Sequence, residues 1–355
     1  LTDYKSSDEK EQEFFNPENR YEANQGDFEK IPGGVIAYWT SQKLKEVFDN
    51  DIKMKDVSPA RIGMMTTNNE RFIRSWNEVS MFKIGFDFDS KIEAEQSSFK
   101  WFPYNKGGEF RKWYGNCDLI VNWKYGGQEI INSGMTSFRG KDFYFKEGIT
   151  WSFVSSSNFG VRYAKKGSIF DIGGSSSFPT RSNLLYIIAF MTSKITFNLL
   201  KIIAPTINFQ GGNINSLPVI FPEQHSIKEQ AETLTQQNID ISKEEWDSRE
   251  TSWDFTKNEL IKHKSDSKVE TAYTSYCNYW KQQHNTLHQN EEELNRLFID
   301  IYELQDELTP NVELKDITIL KNETKIIDDE LVFQADEIMK QFISYGVGVM
   351  FGRYS

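Results

Sequence analysis

Residues 101–116, WFPYNKGGEFRKWYGN, concentrate the side chains that could bind a polyanion. Lys106, Arg111 and Lys112 could neutralise phosphates, and Asn105 could hydrogen-bond to them. Arg also reads guanine edges, and Asn reads adenine. Trp113 and Tyr104 could stack on an exposed base or brace a loop. The glycines let backbone approach closely. Two more loops share this character. GMMTTNNERFIRSW (63–76) carries Thr66, Thr67, Asn68, Asn69, Arg71 and Arg74. SSSNFGVRYAKKG (155–167) carries Ser156, Asn158, Arg162 and Lys165, and Lys100 precedes the first stretch. All lie in one basic island. Residues 61–181 hold 17 Lys and Arg against 12 Asp and Glu, whereas the rest of the chain holds 24 against 40. Three loops of one character in a basic island favour DNA contact. Arg111, Lys106, Arg162 and Arg74 lead the candidates.

Signatures of catalysis are missing. The chain has no GxSxG, no GxxxxGK[ST] and no GxGxxG. FDIGGSSSF (170–178) could cradle a phosphate on backbone N–H groups, but a plain tight turn explains it better. His284 and His288 stand four apart on a helix, without HExxH or a third ligand, so a solvated face is the better reading and no metal site is expected. All four histidines lie beyond residue 224. Cys117 and Cys277 share no metal spacing, which suits a reduced cytoplasm.

The 355 residues suffice for two domains, and 14% aromatic content argues against disorder. Residues 1–30 are polar and acidic and read as a linker or the trailing edge of an upstream domain. They begin at Leu1 rather than Met, as a piece of a longer chain would. Residues 31–222 read as mixed and mostly β. A Ser-capped helix is expected after Ser41. Strands are expected at 81–88, 117–125, 128–132, 150–156, 161–164 and 168–172. One long helix is expected over about 181–203; polar residues interrupt it, so it is a buried helix rather than a membrane span. Residues 223–355 read as helical. A long helix over 267–308 repeats apolar residues every three or four positions if His284 and Glu291 fill its seam. A last helix is expected near 328–344. The fold class is therefore mixed α/β (α+β), a β-rich part followed by a long-helix part.

Several motifs resemble those of the BREX phage-defence adenine-specific DNA methyltransferases (the PglX family). They are GMMTTNNERFIRSWNEV, KWFPYNKGGEFRKWYGN, FKEGITWSFVSSSNFGVRY, FDIGGSSSFP, WDSRETSWDF, EEELNRLFIDIYELQDELTP and FISYGVGVMFGRYS. The resemblance runs in order from about residue 20 to 355. Gly63-x-x-Thr66 and INSLPVIFP (214–222) also resemble target recognition domains of type I specificity subunits and type IIG enzymes. It implies a parent bacterial enzyme of the cytoplasm that uses S-adenosylmethionine to methylate the exocyclic amine of adenine. The family's Asn-Pro-Pro-Tyr is missing; NPEN at 16–19 lacks the second Pro and the aromatic. The glycine-rich cofactor motif is missing too. The resemblance thus implies a target recognition domain (31–222) for double-stranded DNA and a helical spacer (223–355), without catalytic residues or cofactor of their own. The methyltransferase domain would lie upstream, and other phage-defence proteins are candidate partners. Two other classes stay open: a helical scaffold without DNA contact, and a nuclease with an unrecognised acidic metal site.

Overall fold

The computed structural model describes residues 6–20, 22, 24–134, 138–153, 159–204 and 208–354. Among these, the strands are β1 Ala60–Arg61, β2 Ile73–Ser75, β3 Trp101–Asn105, β4 Leu119–Asn122, β5 Gly148–Trp151, β6 Val161–Ala164, β7 Ile169–Phe170, β8 Ser176–Ser177, β9 Thr324–Ile327 and β10 Glu330–Phe333. The helices that shape the argument are α1 Gln42–Val47, α2 Lys124–Asn132, α3 Leu184–Thr192, α4 Lys194–Ile203, α5 His225–Asp247, α6 Val269–Ile301 and α7 Ala335–Met350. One sheet has the order β1-β8-β5-β6, antiparallel throughout. A second has the order β2-β4-β3-β7, in which β7 runs parallel to β3. β9 and β10 form a hairpin. The fold is mixed α/β with small sheets and a helical C-terminal part, as the sequence implies.

The largest apolar core runs from Ile31 to Ile338. It joins Ile149, Trp151 and Val161 of the first sheet to α3, α4, α5 and α6, with no break near residue 222. A second core, with Phe72, Phe102, Tyr104, Val121, Trp123 and Phe170, backs the second sheet. Each fully buried Leu, Ile or Phe contributes about 1.5–3 kcal/mol, so these clusters dominate stability.

Four strand expectations are met by β4, β5, β6 and β7; residues 154–156 of one lie outside the described residues. Ser41 caps α1, accepting from the Leu44 N–H at 3.0 Å. The long helix is α6, and His284 and Glu291 are buried on its seam. Other expectations are corrected. Residues 81–88 form a short 3-10 turn, Met81–Lys83, with one bridge from Ile84 to Trp101. Residues 128–132 end a helix instead of forming a strand. Tyr125, Gly126 and Gly127 take left-handed backbone, and this bends the chain into the α2 turn. The helix over 181–203 is two helices meeting at 66°. Ser193 is extended at the joint, and its hydroxyl donates to the Phe190 carbonyl at 2.7 Å. Both flanks are apolar, so hydropathy alone hides the break. The last helix starts at Ala335, after the β9–β10 hairpin. Asp328 and Asp329 turn that hairpin with φ of 51° and 57°, the conformation of a type I′ turn. Among the described residues no single helix is long and apolar enough to cross a membrane.

Candidate nucleic-acid interface

β3 and β7 run parallel, so their C-terminal ends release two loops side by side. After β7 comes Asp171-Ile172-Gly173-Gly174. The Asp171 carboxylate accepts from the Gly173 N–H at 2.7 Å and from the Tyr104 hydroxyl at 2.6 Å. The Gly174 N–H donates to the Asp171 carbonyl at 3.2 Å. A side chain at Gly174 would lie 2.4 Å from the Asn105 carbonyl oxygen. Backbone packing therefore requires glycine here. The turn's N–H groups are already bonded within the chain, which makes it a structural turn.

That turn anchors the loops singled out from sequence. Lys106 Nζ reaches Asp171 at 3.3 Å and Asn69 Oδ1 at 3.2 Å. Thr66 donates to the same Asn69 oxygen at 2.6 Å. Ser152 donates to the Gly108 carbonyl at 2.9 Å, and the Phe153 N–H to the Gly173 carbonyl at 2.9 Å. The chain leading to Ser156 and Asn158 leaves from this point; those two residues lie outside the described residues. Thr67, Asn68, Asn69 and Arg71 are exposed. Asn68 caps a short helix by accepting from the Arg71 N–H at 3.0 Å. Arg71 lies over Phe72, and among the described residues it has no carboxylate partner. Lys106 keeps 31% of its side chain exposed, enough for its ammonium to reach a phosphate. Half-buried Asn105 donates to Ser168 at 3.2 Å.

At the edges of this face the candidates are engaged elsewhere. Arg74 donates to the carbonyls of Glu70 and Ile73 at 2.5 and 2.6 Å. Lys100 pairs with Glu129 at 3.3 Å, and Lys165 with Asp87 at 2.5 Å.

The second half of the opening stretch turns inward, which corrects the reading of its side chains as solvent-facing. Arg111 pairs with Glu245 of α5, donates to the Tyr114 carbonyl at 2.6 Å and stacks 5.0 Å over Trp246. Lys112 pairs with Glu291 of α6, and Trp113 Nε1 donates to the same carboxylate at 2.7 Å. Arg162 is 1% exposed, and its guanidinium donates to the Arg111 carbonyl at 3.4 Å. Burial pulls the Arg162 pKa down to about 10, and its Nε has no partner. Thr66 and Tyr104 are buried as well. None of these six is exposed at the surface. Of the acids that hold them, sequence reasoning places Glu291 on the seam but not as a partner, and misses Glu245. Both signal themselves by position: Glu291 falls on the apolar seam of α6, and Glu245 continues the buried row Ala231, Thr235, Asn238, Ser242 of α5. A carboxylate on a buried seam requires a cation. Burial pushes the Glu245 pKa up, and the charges of Arg111 and Arg249 outweigh it and hold the carboxylate low.

Asn16 of NPEN caps the turn Pro17–Asn19, accepting from the Glu18 N–H at 3.1 Å. His288 Nε2 bonds to the Val312 carbonyl at 2.7 Å. Among the described residues no group of three His, Cys, Asp or Glu is placed to hold a metal ion. Burial raises the Cys117 thiol to about 11.

No family model matches the chain. Two curated relatives do. One, the adenine-specific methyltransferase PglX of Lacticaseibacillus casei (strain Zhang), is 40% identical; the match takes in 100% of this chain and 30% of the relative. The other, the adenine-specific methyltransferase BrxX of Escherichia coli O9:H4 (strain HS), is 36% identical over 93% of this chain and 27% of its own length. The chain spans less than a third of either relative.

Proposed function

We propose, from a chain homologous over nearly all its length to part of the PglX and BrxX adenine-specific methyltransferases, that it recognises the DNA target for such an enzyme. The parent protein would be a cytoplasmic S-adenosylmethionine-dependent methyltransferase of a phage-defence system. Residues 31–222 serve as the target recognition part and 223–355 as its helical support. The observation that carries this reading is the convergence of Asn69, Lys106 and the Asp171 turn, which presents Thr67, Asn68 and Arg71 to solvent. Lys106 and Arg71 fix the duplex on phosphates, while Asn68, Asn69 and Thr67 stand where base edges can be read. The adenine would then leave the stack and enter a methyltransferase domain elsewhere in the parent.

The inward turn of Arg111, Lys112, Trp113 and Arg162 favours a scaffold role for that half of the stretch. One experiment separates scaffold from reader. Duplex DNA of mixed sequence is titrated with the chain at several salt concentrations. A DNA reader gives log K falling steeply with log [salt], by about 0.9 per phosphate neutralised. Arg71→Ala with Lys106→Ala should remove about two units of that slope. Weak, salt-insensitive binding by the unaltered chain would instead make it a scaffold.

A further inference from the structure

Further cations available to a polyanion lie outside the three loops that the sequence singles out. Arg61 and Lys146 both sit over the ring of Phe143, at 4.9 and 5.0 Å from its centre. That ring stacks on Phe178 at 4.9 Å, and Phe178 packs on the buried Phe170. Arg139 and Lys141 are exposed on the same 139–146 loop. Among the described residues none of these four has a carboxylate partner, as is true of Arg71, whereas Lys100, Lys106, Lys165 and Lys166 are all ion-paired. Nearby, Asp142 is exposed, and Glu147 accepts from the Tyr163 hydroxyl at 2.5 Å.

Backbone packing fixes the cluster. A side chain on Gly63 would come within 2.0 Å of the Phe170 carbonyl oxygen. One on Gly140, at φ +67°, would lie 2.7 Å from the Phe170 ring and 2.8 Å from the Ile62 carbonyl. The two segments are thus locked together on one aromatic platform. Arg61, Arg139, Lys141 and Lys146 outnumber the two nearby acids, Asp142 and Glu147; the excess positive charge repels itself, and an anion relieves that repulsion. The segment that carries Arg61 runs straight into the exposed Thr67–Arg71 loop.

We infer that Arg61, Lys141 and Lys146, with Arg139, form a phosphate-binding face that extends the DNA footprint beyond the Lys106 loop. It rests on the DNA-recognition reading above. The face carries no base-reading side chain, so it supplies affinity and register without sequence preference. The ring planes hold Arg61 and Lys146 in place before DNA arrives, which limits the entropy lost on binding.

The test uses the full chain and fluorescein-labelled 20-base-pair duplexes of two unrelated sequences, with anisotropy followed against salt. The triple variant Arg61→Gln, Lys141→Gln, Lys146→Gln should lower the slope of log K against log [salt] by about two to three units, equally on both duplexes. Lys141→Glu with Lys146→Glu touches only exposed side chains and keeps the fold; it should weaken binding at low salt by tenfold or more. Unchanged slope and affinity in a chain that binds DNA would overturn this face and leave the recognition reading standing. No salt-dependent binding by the unaltered chain would overturn both.

Discussion

Arg111 and Glu245 form an ion pair that joins the 106–116 loop to helix α5, and the Arg111 side chain is only 12% exposed. Glu245 also accepts from Arg249 at 2.6 Å and from the Leu320 N–H at 2.7 Å. One carboxylate therefore ties three segments together. Removing one partner of a buried pair strands the other and costs about 3–5 kcal/mol. Glu245→Ala should therefore lower unfolding free energy by at least that much in a denaturant titration. Arg111→Ala should cost less, since Arg249 still neutralises Glu245. Folded Arg111→Ala protein should bind DNA as the unaltered chain does; a loss of affinity without a loss of stability would return Arg111 to the DNA-contacting face.

Glu291 gives a second, independent tie between loop and helix. Lys112 and Trp113 both donate to it from the interior. Lys112→Met and Glu291→Met alone should each destabilise by about 3 kcal/mol. Together they should destabilise by clearly less than the sum, because neither leaves the other's charge unpaired. Additive effects in this double-mutant cycle would show that the pair is solvated in solution.

Glycine positions separate close packing from mere flexibility. Gly63→Ala puts a methyl 2.0 Å from a backbone oxygen. It should destabilise by several kcal/mol, as overpacking and backbone displacement do. Gly212 has nothing within 4 Å and starts a short helix. Gly212→Ala should be neutral or stabilise by about 0.4–1 kcal/mol. Thermal melts of the two variants check the contrast, and equal shifts would refute it.

Periodicity made the helical part legible. α5 and α6 are long, and their apolar rows repeat every three or four residues, a pattern that survives without tertiary context. The β-rich part was less so. β3 lies inside WFPYN, where aromatic and proline content reads as loop. α2 contains Gly126 and Gly127, whose left-handed backbone is invisible to propensity. The face itself was half legible. Composition marked Asn68, Asn69 and Arg71, which are exposed, and Lys106, which is half-buried, together with Arg111, Lys112 and Arg162, which are not exposed. Cations beside aromatics look alike whether they face water or an acid more than a hundred residues away. Only the fold brings Glu245 and Glu291 to them. Arg61 and Lys146 escaped notice because their shared platform, Phe143, joins segments 80 residues apart.

His284 sets a pH dependence that its position on the α6 seam makes testable. It is 1% exposed, and its Nδ1 has no hydrogen-bond partner. Burial, aided by the charge of His288, lowers its pKa from 6.5 to about 4. Between those two values the unfolded chain binds a proton there and the folded chain does not. Stability from this group is therefore complete above pH 6.5 and declines as pH falls toward 4. The full loss is roughly 3 kcal/mol, at about 1.4 kcal/mol per pKa unit. His284→Leu removes the titration and the unpartnered nitrogen together. At pH 7 it should be neutral or slightly stabilising, because it relieves a buried polar atom. At pH 4.5 it should be more stable than the unaltered chain by roughly 2–3 kcal/mol. Urea unfolding at pH 7, 5.5 and 4.5 measures both; parallel stability curves for the two proteins would show that burial does not shift His284 between the folded and unfolded states.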